Sequence, residues 1–171
     1  MKGYVQIYTG DGKGKTTAAL GLALRSAGAG FKVFMAQFIK NSDYSEIKAL
    51  DRFSDLITVK QYGLGRFIKR GPSDKDRAMA QKGISEIEAI MTLGDVSMVI
   101  LDEVNVALKL GLISIETLMN LMDLRPSHVE LVLTGRGADP ALLEKADLIT
   151  EMTCVRHYFT KGVPARRGIE K

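Results

Sequence analysis

Apolar residues along the chain fall into two alternating rhythms. Short apolar-rich runs at residues 3–8, 31–38, 56–61, 96–101, 130–133 and 148–152 have strand length and are bounded by turn residues. Between them lie stretches with helical spacing: 16–27, the segment after Asn41-Ser42-Asp43 to Phe53, 74 to about 93, 105–110, 114–121 and 140–146. Gly28-Ala29-Gly30 closes the first helix, and Ser73 caps the long third one, with Asp76 three residues on as an imperfect capping-box partner. Gly83 inside that helix is a modest cost. Residues 63–72, with three glycines and Pro72, read as a loop. Strand, glycine loop, helix and strand over the first forty residues make a βαβ unit, whose right-handed crossover sets the two strands parallel. The alternation over the whole chain predicts an α/β fold with a mostly parallel central sheet and helices on both faces.

Composition narrows the class. The 171 residues are 46% hydrophobic and 26% charged, which predicts one globular domain over 1–171 and excludes a disordered chain. No run approaches the roughly 18 apolar residues of a membrane span, and the N-terminus lacks a signal-peptide apolar core. One cysteine, Cys154, cannot form an internal disulfide and fits a reducing compartment, so a cytoplasmic location is expected. The net charge of +4 is mild, and part of it collects in Lys161, Arg166, Arg167 and Lys171. With 6% aromatic residues and no tryptophan there is little for bases to stack on, which disfavours nucleic-acid binding.

The strongest chemical signal is Thr9-Gly10-Asp11-Gly12-Lys13-Gly14-Lys15-Thr16-Thr17. Backbone N–H groups of such a loop, running into a helix N-terminus, form a concave donor surface for phosphate oxygens. Lys15 supplies a cation further along a polyphosphate, and the Thr16 hydroxyl can ligate Mg²⁺. The Walker pattern asks for glycine where this chain has Thr9. Asp102-Glu103, leaving the apolar run Val99-Ile100-Leu101, stand where a sheet presents ligands and suit the metal that accompanies phosphates. Arg136 follows another apolar run within Thr134-Gly135-Arg136-Gly137 and can neutralise phosphate charge; a plain surface arginine in a glycine turn is the competing reading. Arg25 has a simple reading as a helix C-terminal charge. His128 and His157 lack metal-ligand spacing and read as ordinary polar positions, and Met79, Met91, Met98, Met119 and Met122 read as packing.

The loop with Ala18-Ala19 closely resembles that of the P-loop ATP:corrinoid adenosyltransferases of cobalamin biosynthesis, where Asn commonly stands at the place of Asp11. The resemblance continues in order through Gln37-Phe38-Ile39-Lys40, Leu101-Asp102-Glu103, Arg125-Pro126, Thr134-Gly135-Arg136-Gly137, Val155-Arg156-His157 and Gly162-Val163. It implies a three-layer P-loop (RecA-like) fold and transfer of the 5′-deoxyadenosyl group of ATP to the Co(I) form of a corrinoid, with release of triphosphate. Co(I) is itself the nucleophile, in keeping with a chain that shows no nucleophile–base constellation. Carried over by motif, Gly10, Asp11, Gly12, Lys13, Gly14, Lys15 and Thr16 bind the triphosphate, with Arg25 and Arg136 near the nucleotide. Lys15, Thr16 and Glu103 carry the catalytic roles, and Thr16, Glu103 and Asp102 hold Mg²⁺ (or Mn²⁺). The substrates implied are ATP and a reduced corrinoid; the partners implied are a reductase or flavin electron donor and a second copy in a homodimer, with no membrane.

Two features depart from the family. Many members carry a helix before the first strand that covers the nucleotide. Some have a Phe-x-Trp pair where this chain reads Gly63-Leu64-Gly65-Arg66-Phe67, with Leu64 and Phe67 as the apolar residues in its place. The competing functions are a P-loop NTPase or kinase cleaving the γ-phosphate, with Glu103 polarising a water, and a nucleotide-gated module binding RNA through the basic tail. Their products separate them from alkyl transfer.

Overall fold

A strand covered on both sides by helices carries apolar residues at nearly every position, because its side chains alternate between the two faces. In the computed structural model, which describes residues 2–42, 44–65, 68 and 71–170, six segments pair into one sheet. They are β1 (Val5–Thr9), β2 (Val33–Phe38), β3 (Ile57–Tyr62), β4 (Met98–Asp102), β5 (Glu130–Thr134) and β6 (Leu148–Glu151). The spatial order is β3-β2-β4-β5-β1-β6, and every pairing is parallel. Parallel neighbours need crossovers, which here carry α1 (Lys15–Gly28), α2 (Ser45–Leu50), α3 (Asp74–Leu93), α4 (Val104–Lys109), α5 (Ile115–Leu124) and α6 (Pro140–Lys145).

The period of two divides the core into the two interfaces of a three-layer structure. Ile7, Phe34, Phe38, Leu101 and Leu133 face one way and pack with Ile84 and Ile87 of α3 and Leu118 of α5. Met35, Ile100 and Val132 face the other way, against Ala19, Ala23 and Ala27 of α1. The alanine stripe brings α1 close to the sheet, so the loop before it is carried on a rigid support. Among the described residues no helix is long and apolar enough to cross a membrane.

Boundaries differ from the sequence expectations for local reasons. The first strand starts at Val5; before it the Gly3 N–H donates to the Ser127 carbonyl at 2.8 Å and the Tyr4 N–H to the Glu130 carboxylate, outside the strand ladder. Only Ser45–Leu50 of the segment expected to be helical up to Phe53 is α-helix, followed by a 3₁₀ turn at Asp51–Phe53. Helix α5 runs to Leu124, three residues beyond expectation, and ends where Arg125 precedes Pro126. The capping box of α3 is complete with Asp76 in the usual Glu place: the Ser73 side chain accepts from the Asp76 N–H, and the Asp76 carboxylate accepts from the Ser73 N–H at 2.8 Å. Met91, Met98 and Met122 are buried and Met119 packs on the core, whereas Met79 is half-buried. The sequence reading of Arg66, Phe67, Lys69 and Arg70 as loop, and of Asp43 before a helix, falls outside the described residues.

Gly83 does more than weaken its helix. A Cβ there would lie 2.8 Å from Cγ of Tyr62, whose ring is buried beside Phe38 with centroids 5.9 Å apart. Gly83→Ala gains about 1 kcal/mol of helix propensity but overpacks the α3–β3 contact by about 1–3 kcal/mol. We expect a net loss of about 1 kcal/mol in chemical denaturation; a variant more stable than the parent would show that α3 can move off the sheet freely.

Candidate active site

Strand β1 lies between β5 and β6, so the turns leaving both neighbours flank the loop that follows Thr9. The Thr9 hydroxyl accepts from the Ala138 N–H at 3.2 Å, tying the loop to the turn after β5. On the β6 side the Gly12 N–H donates to the Met152 carbonyl at 2.6 Å, and a Cβ on Gly12 would come within 2.6 Å of that oxygen. Gly14 has φ 121°, a conformation that side chains resist, and it starts α1 without a side-chain cap. Helix α3 begins under a capping box, whereas the first N–H groups of α1 are left to an external acceptor. Lys15 curls over the loop, its Nζ donating to the Gly10 and Gly12 carbonyls at 2.6 Å each. Burial, and then the nearby Arg136 charge, lower its pKa below the ordinary lysine value.

The end of β4 supplies the second half of the site. Asp102 is fully buried, and its carboxylate accepts from Thr16 Oγ1 at 2.8 Å, Thr134 Oγ1 at 2.7 Å, Gln37 Nε2 at 3.1 Å and Lys40 Nζ at 2.7 Å. Glu103 turns the chain at φ 61°, and its N–H donates to Thr134 Oγ1 at 3.0 Å. Burial, and then the adjacent Asp102 charge, push the Glu103 carboxyl above the usual carboxylate range. Lys40 follows Ile39, which has φ 67°, so two non-glycine residues with left-handed backbone stand at the ends of the neighbouring strands β2 and β4. Such strain persists where the surroundings enforce it. Burial is the largest single influence and opposes the Lys40 ammonium, but Asp102, Glu103 and Glu46 together outweigh it and raise the lysine pKa.

These elements open onto a cavity of about 680 Å³. Of the residues singled out from the sequence, Gly12, Lys13, Gly14, Lys15, Thr16, Glu103 and Arg136 line it. Gly135, at φ 133°, aims Arg136; its carbonyl accepts from Asn105 Nδ2 at 3.1 Å. Gly10 lies beneath Lys15, Asp11 is exposed outside the cavity wall, and Asp102 sits behind Thr16. Arg25 is exposed on the last turn of α1, about 15 Å along the helix from Lys15, and does not line the cavity.

Sequence reasoning gave no role to Lys40, Tyr44 or His157, all of which line the cavity, nor to Gln37 and Thr134, which hold Asp102. Gln37, Lys40, Thr134 and His157 all lie in the segments that carry the family resemblance, which was the available signal. The chain after β6 folds back across the loop. Glu170 accepts from Lys13 Nζ at 2.8 Å, from the Arg166 N–H at 2.8 Å and from the Tyr158 hydroxyl. Arg166 first, with Lys13 and Tyr158, holds the Glu170 carboxyl far below its ordinary range.

Thr134 serves both acidic residues, so Thr134→Val keeps the shape while leaving the Glu103 N–H without its acceptor. Such a loss costs about 1–3 kcal/mol. We expect a fall of that size in unfolding free energy, measured by denaturant titration; an unchanged midpoint would mean the hydroxyl is dispensable.

The sequence profile of the family described as ATP:corrinoid adenosyltransferase BtuR/CobO/CobP matches residues 1–170. A corrinoid adenosyltransferase of Pseudomonas aeruginosa is 34% identical over 170 residues, covering 99% of this chain and 84% of the relative. One from Sinorhizobium sp. is 35% identical over 172 residues, covering 99% and 80%. The corrinoid adenosyltransferase CobA of Salmonella typhimurium is 32% identical over 172 residues, covering 99% and 86%. A glycine loop, an acidic strand end and a glycine-turn arginine surround one cavity here, and the likeness extends across the sheet that carries them: the chain belongs to the ATP:corrinoid adenosyltransferases.

Proposed function

We propose that this chain performs its family's reaction by holding the triphosphate of ATP in the 10–16 loop, so that C5′ of the ribose faces a reduced corrinoid and triphosphate leaves whole. The observation that carries this reading is the uncapped N-terminus of α1, opening with Lys13, Lys15 and Arg136 onto one cavity. Helix N–H groups and clustered cations suit a polyphosphate. The electron pair of the substrate's Co(I) forms the Co–C5′ bond, the C5′–O bond breaks, and its electrons depart with the triphosphate. The protein therefore supplies no nucleophile and no base; it orients the two substrates and stabilises the growing negative charge. Lys15 exchanges the Gly10 and Gly12 carbonyls for phosphate oxygens, and Arg136 meets the same charge from the other wall.

The donor set fits Mg²⁺. Thr16 Oγ1, Asp102 and Glu103 are hard oxygen ligands, and among the described residues no group of three or more His, Cys, Asp or Glu offers a self-contained metal cage. Such a site suits an ion that completes its shell with phosphate oxygens and water. When bound, the ion neutralises charge on the phosphates. Gly10 and Asp11 belong to the loop that grips the triphosphate, while Arg25 contributes from the far end of α1 at most through its long-range charge. A reductase or flavin that supplies the electron for Co(I), and a homodimeric assembly, are carried over from the family.

Anaerobic incubation with ATP, Mg²⁺ and a chemically reduced corrinoid tests the reading: adenosylated corrinoid and intact triphosphate should appear in equal amounts. ADP or inorganic phosphate without alkylation would end it. Lys15→Ala should lower turnover by about 10²–10³ at saturating ATP, and a change under tenfold would remove Lys15 from the charge-stabilising role. Glu103→Gln should raise the Mg²⁺ requirement more than it alters corrinoid affinity.

A further inference from the structure

Lys40 occupies an unexpected position relative to that metal reading. Its Nζ lies 2.7 Å from Asp102 Oδ2 and 3.3 Å from Thr16 Oγ1, bridging two of the three residues assigned to the ion. We infer that Lys40 is a resident cation of the metal position: its ammonium holds the Thr16–Asp102 pair until a divalent ion enters together with the nucleotide, which makes metal binding conditional on ATP. The inference rests on the assignment of Thr16, Asp102 and Glu103 to a metal.

Charge is the first argument. Without Lys40 the remaining partners of Asp102 are neutral: two hydroxyls and an amide. A buried carboxylate with only neutral donors attracts a cation strongly. A divalent ion that shared the same oxygens would face a unit positive charge at contact range. One of the two has to leave.

The second argument is that Lys40 has somewhere to go. Its side chain is 19% exposed, whereas that of Asp102 is fully buried. The Nζ lies 5.7 Å from the centroid of the Tyr44 ring, and Tyr44 and Glu46 line the same cavity. The ammonium is thus already within cation–π reach of Tyr44, and the Glu46 carboxylate on the same wall offers it a partner in place of Asp102. A lysine turned that way remains on the cavity wall, where it faces the incoming phosphates.

The third argument is local backbone. Ile39 is β-branched and sits at φ 67°, a costly conformation that brings Lys40 back over the end of β2 instead of letting it run outward. Rotation of the long side chain alone then moves the charge, with no change in the sheet.

Mn²⁺ can stand for Mg²⁺ and be counted by electron paramagnetic resonance as free ion is depleted. The titration is run on the parent, Lys40→Gln and Lys40→Arg with no corrinoid present, each with and without ATP, and the ATP series is read as depletion beyond that of the same Mn²⁺–ATP mixture without protein. The parent and Lys40→Arg should bind Mn²⁺ weakly alone and tightly with ATP. Lys40→Gln, which keeps a donor but loses the charge, should bind Mn²⁺ alone at least about tenfold more tightly than the parent. If Lys40→Gln does not melt cooperatively, Lys40→Met, which preserves the length of the side chain, takes its place. Equal Mn²⁺ affinity of the uncharged variant and the parent without ATP, while both bind it with ATP, would overturn the role of Lys40 and leave the metal assignment standing. Failure of the parent to bind Mn²⁺ even with ATP would overturn the metal assignment and this inference together.

Discussion

A carboxylate with no exposure to water must be answered by donors, and the answer to Asp102 organises this molecule. Its partners come from the first turn of α1, the end of β2, the loop after β2 and the end of β5. Removing the oppositely charged partner of a buried carboxylate, here Lys40, costs several kcal/mol, because the charge stays behind. The four contacts therefore lock helix α1 against three strand ends, and the phosphate loop inherits that register. Glu103 is tied in through the Thr134 hydroxyl, so the two acidic residues cannot drift apart independently.

The loop itself is shaped by what presses on it. Gly12 is required because the backbone at Met152 passes within contact distance, and Gly14 because its φ is positive. Thr9, which stands where a Walker loop has glycine, uses its hydroxyl to bind the turn after β5. The departure adds an anchor and leaves the helix N-terminus open. Lys13 and Lys15 are both held within the protein, one by Glu170 and the other by two carbonyls. In the proposed function a polyanion takes over those contacts, and until then they keep both cations oriented.

Much of this was legible in the chain. The strands β2, β4 and β5 announce themselves as continuous apolar runs because helices cover both faces of the sheet. The loop, Lys15 and Thr16 are a local motif whose spacing carries its own geometry. Asp102 and Glu103 could be placed at the sheet's edge, but the order of their duties could not: Asp102 spends its carboxylate on four neighbours, while Glu103 faces the cavity. Gln37 and Thr134 reach Asp102 from 65 and 32 residues away, through crossovers that no local pattern encodes. Lys40 was hidden for a different reason. It follows a residue with positive φ, Ile39, and an isoleucine gives no hint of that conformation. His157 lies in an irregular tail whose path is set by contacts with the loop and with Glu170.

The place of β1 in the sheet bears on how the chain reaches this state. Val5 pairs with Leu131 and Gln6 with Leu148, so the strand that carries the phosphate loop is made first and finds both neighbours last. At about 5–20 residues per second it waits roughly ten seconds during synthesis with its pairing groups unmatched. Contacts of such long sequence separation also slow closure of the sheet. The candidate site therefore cannot close until residues 130–151 are available to flank β1, so the loop near the start of the chain is completed by segments near its end.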